Sequence, residues 1–130
     1  MIACRAMNST NAFRIAAAMG FLGVALGAFG AHGLKHVLET NNAVDIWKTA
    51  SNYHLIHAVV LLFLAARAPF RAGPWILFLA GIVVFSGSLY LFSITGIKGY
   101  AMVTPVGGTC FLAGWLWLAV KTGAEAHPSV

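Results

Sequence analysis

Four long stretches of this chain contain no acidic residue, lysine or arginine. They cover residues 15–34, 49–66, 72–97 and 99–120, and are 20, 18, 26 and 22 residues long. A helix needs about 20 apolar residues to cross the hydrocarbon core of a membrane, with an accepted range of about 17–25. Because backbone polar groups in lipid must be paired within their own segment, helices are expected there. The pattern predicts four membrane-spanning helices.

The composition supports the same interpretation. Charged residues make up 8% of the 130-residue chain and apolar residues 60%, whereas a typical soluble domain carries about 25% charged residues. So few charges cannot cover the surface of a water-soluble domain. The composition also excludes a disordered chain, because disordered chains are polar and highly charged. The net charge is +5, but no two Lys or Arg residues are adjacent, and a nucleic-acid surface needs them clustered. We therefore expect the lipid bilayer as a partner and no nucleic acid.

We predict an all-α fold in which one transmembrane domain, residues 1–130, forms a four-helix bundle in the membrane. The spans are expected at approximately residues 13–34, 48–66, 74–94 and 104–120. A flexible tail is expected over residues 121–130, because this segment is polar.

The connections between the spans contain further signals. Pro74 and Pro105 suit the first turns of the third and fourth helices, since the N–H that proline lacks is unpaired there anyway. Residues 35–48 carry most of the remaining polarity. They predict a short interfacial helix or loop between the first two spans, with Trp47 at the level of the lipid headgroups.

The distribution of Lys and Arg predicts the orientation, because short cytoplasmic loops carry more of these residues. One side of the membrane receives Arg5, Arg14, Arg67, Arg71 and Lys121. The other side receives Lys35, Lys48 and Lys98. We therefore expect both termini in the cytoplasm. A cleaved signal peptide is the alternative for the first span, although its apolar run is long for one, and Met7 is an alternative start.

Small residues in the first span predict close packing against another helix. They recur at spacings of three and four, so they line one stripe: Ala16, Gly20, Gly23, Gly27, Gly30 and Ala31. Helix association in lipid depends on such close approach and on hydrogen bonds. The partner helix could belong to the same chain, to a second copy in a homo-oligomer, or to another membrane protein. Gly107 and Gly114 predict a similar contact for the fourth span.

Polar residues at membrane depth cluster in one half of the bilayer. A rise of about 1.5 Å per residue places them in the half opposite the predicted cytoplasmic side. Two interpretations stay open, namely hydrogen bonds between helices and a pocket for a small ligand, a lipid headgroup or a partner helix. The candidate ligand-binding residues are His32, Tyr53, His57, Ser86, Ser88, Tyr90 and Thr104.

A His-ligated metal or haem is a further alternative, for which the candidates are His32, His54 and His57. No carboxylate is available at that depth to orient the imidazole rings, as ligating histidines usually require. We therefore predict no metal site and no cofactor. A hydrolytic triad is disfavoured because the three acids, Glu39, Asp45 and Glu125, belong to loops. We predict no catalytic residue and a non-enzymatic membrane component, with a transporter or an accessory subunit of a larger complex as the alternative.

Several blocks of the sequence resemble a known family. They are GAFGAHGL (residues 27–34), Thr49-Ala50 with Tyr53 and His57, FSGSLY (85–90), TPVGG (104–108) and Gly114-Trp115. In this order they resemble the domain of unknown function 423, the transmembrane protein 256-like family, over most of the chain. The resemblance implies a small multi-pass protein, here of the bacterial cytoplasmic (inner) membrane, with no established biochemical activity. His54 departs from the family pattern, which has glutamine beside the tyrosine. We therefore expect a role shared across the family for His32 and His57 rather than for His54.

Overall fold

The computed structural model describes residues 7–122. Within that range the first span is Ser9–Ala31, a short helix covers Lys35–Thr40, the second span is Val44–Ala66, the third is Ala72–Thr95 and the fourth is Lys98–Lys121. All four spans are long and apolar enough to cross a membrane. The prediction of an all-α membrane fold with a short helix between the first two spans is confirmed. The predicted tail lies outside the described residues from position 123 onward.

The first, second and fourth helices begin before the intervals that the charges delimit, whereas the third lies within its interval. The second span begins at Val44 and has Asp45 in its first turn, where a carboxylate is stabilised by the helix dipole. The fourth begins at Lys98 and carries Pro105 inside it, so the prediction that Pro105 opens this helix is wrong. Neighbouring helices let a membrane helix tolerate an internal proline. Gly96, with φ 70°, ends the third span in the left-handed conformation that glycine adopts readily.

Spans that follow one another along the chain also pack against one another. The first span contacts the second, the second contacts the third, and the third contacts the fourth. The two central spans are therefore the most enclosed: 44% and 39% of the residues in an apolar 18-residue window of each are buried, against 17% for each of the outer two. The described part of the chain, residues 7–122, starts and ends at one end of the bundle, here called the terminal end. The short helix lies at the other, here called the short-helix end.

The third span is not a continuous α-helix. Residues Ile82–Ser86 form a π-helical turn between two α-helical parts, and nothing in the sequence pattern indicated it. Single π-helical turns of this kind occur inside α-helices, frequently at functional sites. Here the turn lies opposite Gly107 of the fourth span, where an added Cβ would come within 2.7 Å of the Phe85 Cα. The absence of a side chain at Gly107 allows the two backbones to touch at this turn.

The glycine stripe of the first span packs against the second span of the same chain. A Cβ on Gly23 would lie 2.7 Å from Leu55, and one on Gly30 would collide with the Trp47 indole. Gly20 has open space beside it instead. Trp47, expected as an interfacial anchor, is 3% exposed and donates its Nε1–H to the Leu26 carbonyl at 2.9 Å. The small residues opposite Trp47 leave room for the ring inside the bundle, and its position at the level of the lipid headgroups stays a prediction.

Candidate functional site

His54 connects the first three spans through its two ring nitrogens. Its Nε2 lies 2.8 Å from the Met19 carbonyl oxygen of the first span. Since a carbonyl only accepts, Nε2 carries the proton and donates it. The Nδ1 atom lies 3.0 Å from the Tyr90 hydroxyl of the third span and accepts the hydroxyl proton in this tautomer. His54 and Tyr90 are 3% and 8% exposed, so both hydrogen bonds lie inside the protein.

His57 adopts the opposite tautomer. Its Nδ1 donates to the Tyr53 carbonyl, one turn earlier in the same helix, at 2.8 Å. Its Nε2 accepts the indole N–H of Trp115, in the fourth span, at 3.1 Å. The imidazole also stacks on Phe111 with the ring centroids 3.8 Å apart. His57 therefore joins the second and fourth spans with both nitrogens engaged.

The predicted hydroxyl residues also form contacts within the bundle. Ser86 donates to the Ala50 carbonyl at 2.8 Å, which connects the third span to the second. Ser88 and Thr104 share a hydrogen bond of 2.6 Å, which connects the third span to the fourth. Each such bond is worth about 0.6–2 kcal/mol in a membrane. Together with the two histidines, these residues link every pair of adjacent spans.

His32 and Tyr53 are placed differently from the other candidates. His32 ends the first span with an exposed side chain, so it does not join the hydrogen-bonded group. Tyr53 is 43% exposed and stacks against Phe85 with a centroid distance of 4.7 Å. A cavity of about 380 Å³ between the second and fourth spans is lined by Tyr53 and His57, mostly together with aromatic and small residues. Ligand binding by the seven candidates stays a prediction from the sequence.

The two buried histidines present no free lone pair to a metal. In the tautomers that the carbonyl partners require, the acceptor nitrogen of each ring already receives a hydrogen bond. Residues 7–122 contain no cluster of three His, Cys, Asp or Glu side chains that could hold a metal ion. The histidine arrangement is that of a connector between helices.

A larger cavity lies at the short-helix end, between the first span, the short helix and the second span. Its volume is about 470 Å³, and we call it the short-helix cavity. Its lining comprises Gly27, Gly30, Ala31, Lys35, Leu38, Glu39, Val44, Trp47, Lys48, Ser51 and Asn52. None of the candidate residues predicted from the sequence is among them. Gly27 and Gly30 form part of its wall on the first span.

The lining of the short-helix cavity divides into an apolar floor and a charged rim. Leu38 and Trp47 are buried, and the Trp47 N–H is already bonded to the Leu26 carbonyl, so the floor is hydrocarbon and aromatic surface. Lys35, Glu39 and Lys48 are exposed at the rim. Such a surface, apolar on one side and charged on the other, matches a molecule that is itself amphiphilic.

Sequence reasoning missed this cavity for a definable reason. The candidate residues were predicted from polarity at membrane depth, and most of these polar side chains form contacts between helices. A signal was present in residues 35–48, the one connection between spans that contains charges of both signs and a tryptophan. Its proximity to the glycines of the first span could not be read from the spacing alone.

Comparison with known proteins identifies the family. Residues 26–108 match the family described as a protein of unknown function, DUF423. The UPF0382 inner membrane protein YgdD of Escherichia coli (strain K12) is 43% identical over 121 residues, which are 88% of this chain and 90% of the relative.

The UPF0382 membrane proteins YwdK of Bacillus subtilis (strain 168) and SH2409 of Staphylococcus haemolyticus (strain JCSC1435) are 41% and 39% identical over 106 residues. These cover 76% and 78% of this chain and 85% of each relative. No solved structure matches the chain. The resemblance seen in the sequence is confirmed, and the chain belongs to the DUF423 family of membrane proteins, whose function is not established.

Proposed function

We propose that this chain is a non-enzymatic component of the bacterial cytoplasmic membrane that binds an amphiphilic molecule in the short-helix cavity. The observation that carries the proposal is the lining of this cavity. Two lysine ammonium groups stand at its rim above a floor made by a leucine, a tryptophan and the glycine face of the first span. An anionic headgroup fits the rim, and the apolar part of the same molecule fits the floor.

The orientation predicted from the sequence places this cavity away from the cytoplasm. The described basic residues at the terminal end are Arg14, Arg67, Arg71 and Lys121, against Lys35, Lys48 and Lys98 at the short-helix end. The terminal end is therefore proposed to face the cytoplasm. The short-helix cavity then lies at the headgroup level of the outer leaflet, where lipids reach it from the side.

The hydrogen-bonded core supports binding rather than catalysis as the role. The side chains of His54, His57, Ser86, Ser88 and Thr104 form hydrogen bonds between spans. The side chains around the short-helix cavity include no nucleophile and base at hydrogen-bonding distance from one another. Its chemistry is recognition by charge and by apolar contact.

The proposal is tested by native mass spectrometry of the full chain, purified in a detergent that retains bound lipid. The double variant Lys35→Ala/Lys48→Ala should lose most of the phospholipid that the wild type retains. Lys98→Ala is the matched control, since Lys98 is exposed at the same end of the bundle but does not line the cavity. Equal lipid retention by all three proteins would contradict the assignment of the lysines.

A second pair of variants tests the cavity itself. Ala31→Trp places a large ring into the short-helix cavity from an exposed position, and Ala28→Trp places the same ring on the first span outside it. We expect Ala31→Trp to displace lipid and Ala28→Trp to leave it bound. Thermal unfolding of both variants monitors the fold. Lipid retention unchanged by Ala31→Trp would refute binding in this cavity.

A further inference from the structure

We infer that the short-helix cavity selects a phospholipid whose headgroup carries a primary amine beside its phosphate. This inference rests on the proposed function and adds the chemical class of the ligand. The rim of the cavity contains charges of both signs, two ammonium groups and the carboxylate of Glu39. A headgroup with one phosphate and one ammonium group presents the complementary pair of charges.

The three charged side chains are positioned to act on one ligand. Lys35 and Glu39 are four residues apart on the short helix, so they share one face of it. Lys48 approaches from the second span and lines the same cavity. Among residues 7–122, the structure records no ion pair or hydrogen bond for these three side chains. All three side chains are exposed and line the same cavity, so their charged groups are available to one bound ligand.

Glu39 is the residue that discriminates between headgroups in binding. A headgroup with phosphate alone gains from the two lysines but is repelled by the carboxylate. A headgroup that also carries an ammonium group turns this repulsion into an attraction. Specificity commonly arises in this way, from an element that disfavours the competitor as well as one that favours the ligand.

The wall below the rim fits the rest of such a lipid. Asn52 lies one helical turn beyond Lys48, about 6 Å further into the membrane, and lines the cavity with an exposed amide side chain. Amide N–H groups are donors suited to the ester carbonyls that follow the phosphate in a glycerophospholipid. Gly27, Gly30 and the Trp47 ring add apolar surface to the same wall. The lining therefore offers charged groups, an amide and apolar surface to one bound phospholipid.

The experiment is a competition between headgroups on the full-length protein. The detergent-solubilised chain is stripped of lipid and incubated with equimolar dimyristoyl phosphatidylethanolamine and dimyristoyl phosphatidylglycerol, and the bound lipid is measured by native mass spectrometry. The wild type should retain the amine-bearing lipid in excess. Glu39→Gln should reduce the ratio of bound ethanolamine to glycerol lipid by about fivefold, the size expected for an exposed charge pair.

Asp45→Asn is the matched control, because Asp45 is an exposed acid at the same end that does not line the short-helix cavity. We expect its lipid ratio to equal that of the wild type. Circular dichroism checks that both variants remain helical. An equal change in the two variants would show an effect of net charge and would overturn the role of Glu39.

The possible failures are distinguishable. If both lipids bind equally, Glu39→Gln changes nothing and Lys35→Ala/Lys48→Ala still abolishes binding, the amine selectivity is refuted and the proposed function survives. If the Ala31→Trp variant retains as much of either lipid as the wild type, both are refuted. Water-soluble phosphoethanolamine is added as a competitor and should not displace the lipid at equal concentration. Displacement would overturn the assignment to a membrane lipid.

Discussion

The contact between the third and fourth spans at Gly107 permits a sharp test of how this protein is held together. A Cβ added at Gly107 would lie 2.7 Å from the Cα and the Cβ of Phe85, and closer still to its backbone nitrogen. Carbon atoms in contact are about 3.5 Å or more apart. The obstacle is backbone and cannot rotate away, so Gly107→Ala requires the two helices to separate by at least about 0.8 Å.

The energetic cost of Gly107→Ala has three parts. Forcing a methyl group into a packed interface costs about 1–3 kcal/mol. Separating the helices also stretches the 2.6 Å hydrogen bond between Ser88 and Thr104 toward its distance limit. Loss of this bond would cost about 0.6 kcal/mol of stability. Alanine offsets about 1 kcal/mol of this through its higher helix propensity. We expect a net destabilisation of about 2 kcal/mol.

Gly108→Ala is the matched control. Its added Cβ would meet only the Phe85 ring, at 3.8 Å, which is an ordinary van der Waals distance. The main effect of Gly108→Ala is therefore the higher helix propensity of alanine. The free energies of unfolding of the two variants should therefore differ by about 3 kcal/mol. SDS titration of detergent-purified protein, followed by far-UV circular dichroism, measures this difference. Equal unfolding midpoints for the two variants would show that the helices do not approach closely at Gly107.

Three further changes probe other parts of the structure. Tyr90→Phe removes the donor to the His54 ring and should destabilise the protein by about 1 kcal/mol; no change in the SDS unfolding midpoint would argue against that hydrogen bond. Asn41→Ala removes the side-chain N–H groups that lie 3.0 and 2.9 Å from the carbonyls at the end of the third span. Hydrogen exchange should therefore accelerate at that end only, and a uniform change along the span would contradict the capping role. In a background without native cysteines, Lys98→Cys should react with a membrane-impermeant maleimide in intact cells, and labelling only after lysis would reverse the proposed orientation.

The number of spans could be predicted from the sequence because it follows from a bulk property. A charge is costly in hydrocarbon, so the gaps between charges mark the lipid-embedded part of each helix. The helix ends could not be predicted in this way, since a charged residue in the first or last turn lies at the interface and leaves the helix intact. Asp45 and Lys98 show this. Each lies in the first turn of its helix, whereas the charge-free interval begins only after it.

The polar residues of the interior could be found from the sequence, but their partners could not. The depth count identified His54 and Ser86, yet the Met19 and Ala50 groups that they bond are backbone carbonyls. Every residue carries such a carbonyl, so the partner has no signature in the residue types. The π-helical turn was missed for the same reason, because it alters backbone pairing without requiring a particular residue.

The two hydrogen bonds of His54 could also be made by a glutamine side chain. The imidazole here donates once, to a carbonyl, and accepts once, from a hydroxyl, and a side-chain amide offers one N–H donor and one carbonyl acceptor in the same arrangement. A titrating or metal-binding histidine could not be exchanged for an amide without losing its role. His54→Gln should therefore unfold at nearly the same SDS concentration as the wild type, whereas His54→Leu leaves the Tyr90 hydroxyl and the Met19 carbonyl without their partner and should unfold earlier. If His54→Gln were as unstable as His54→Leu, the ring itself would be required, and the interpretation of the polar interior as a set of connectors would fail.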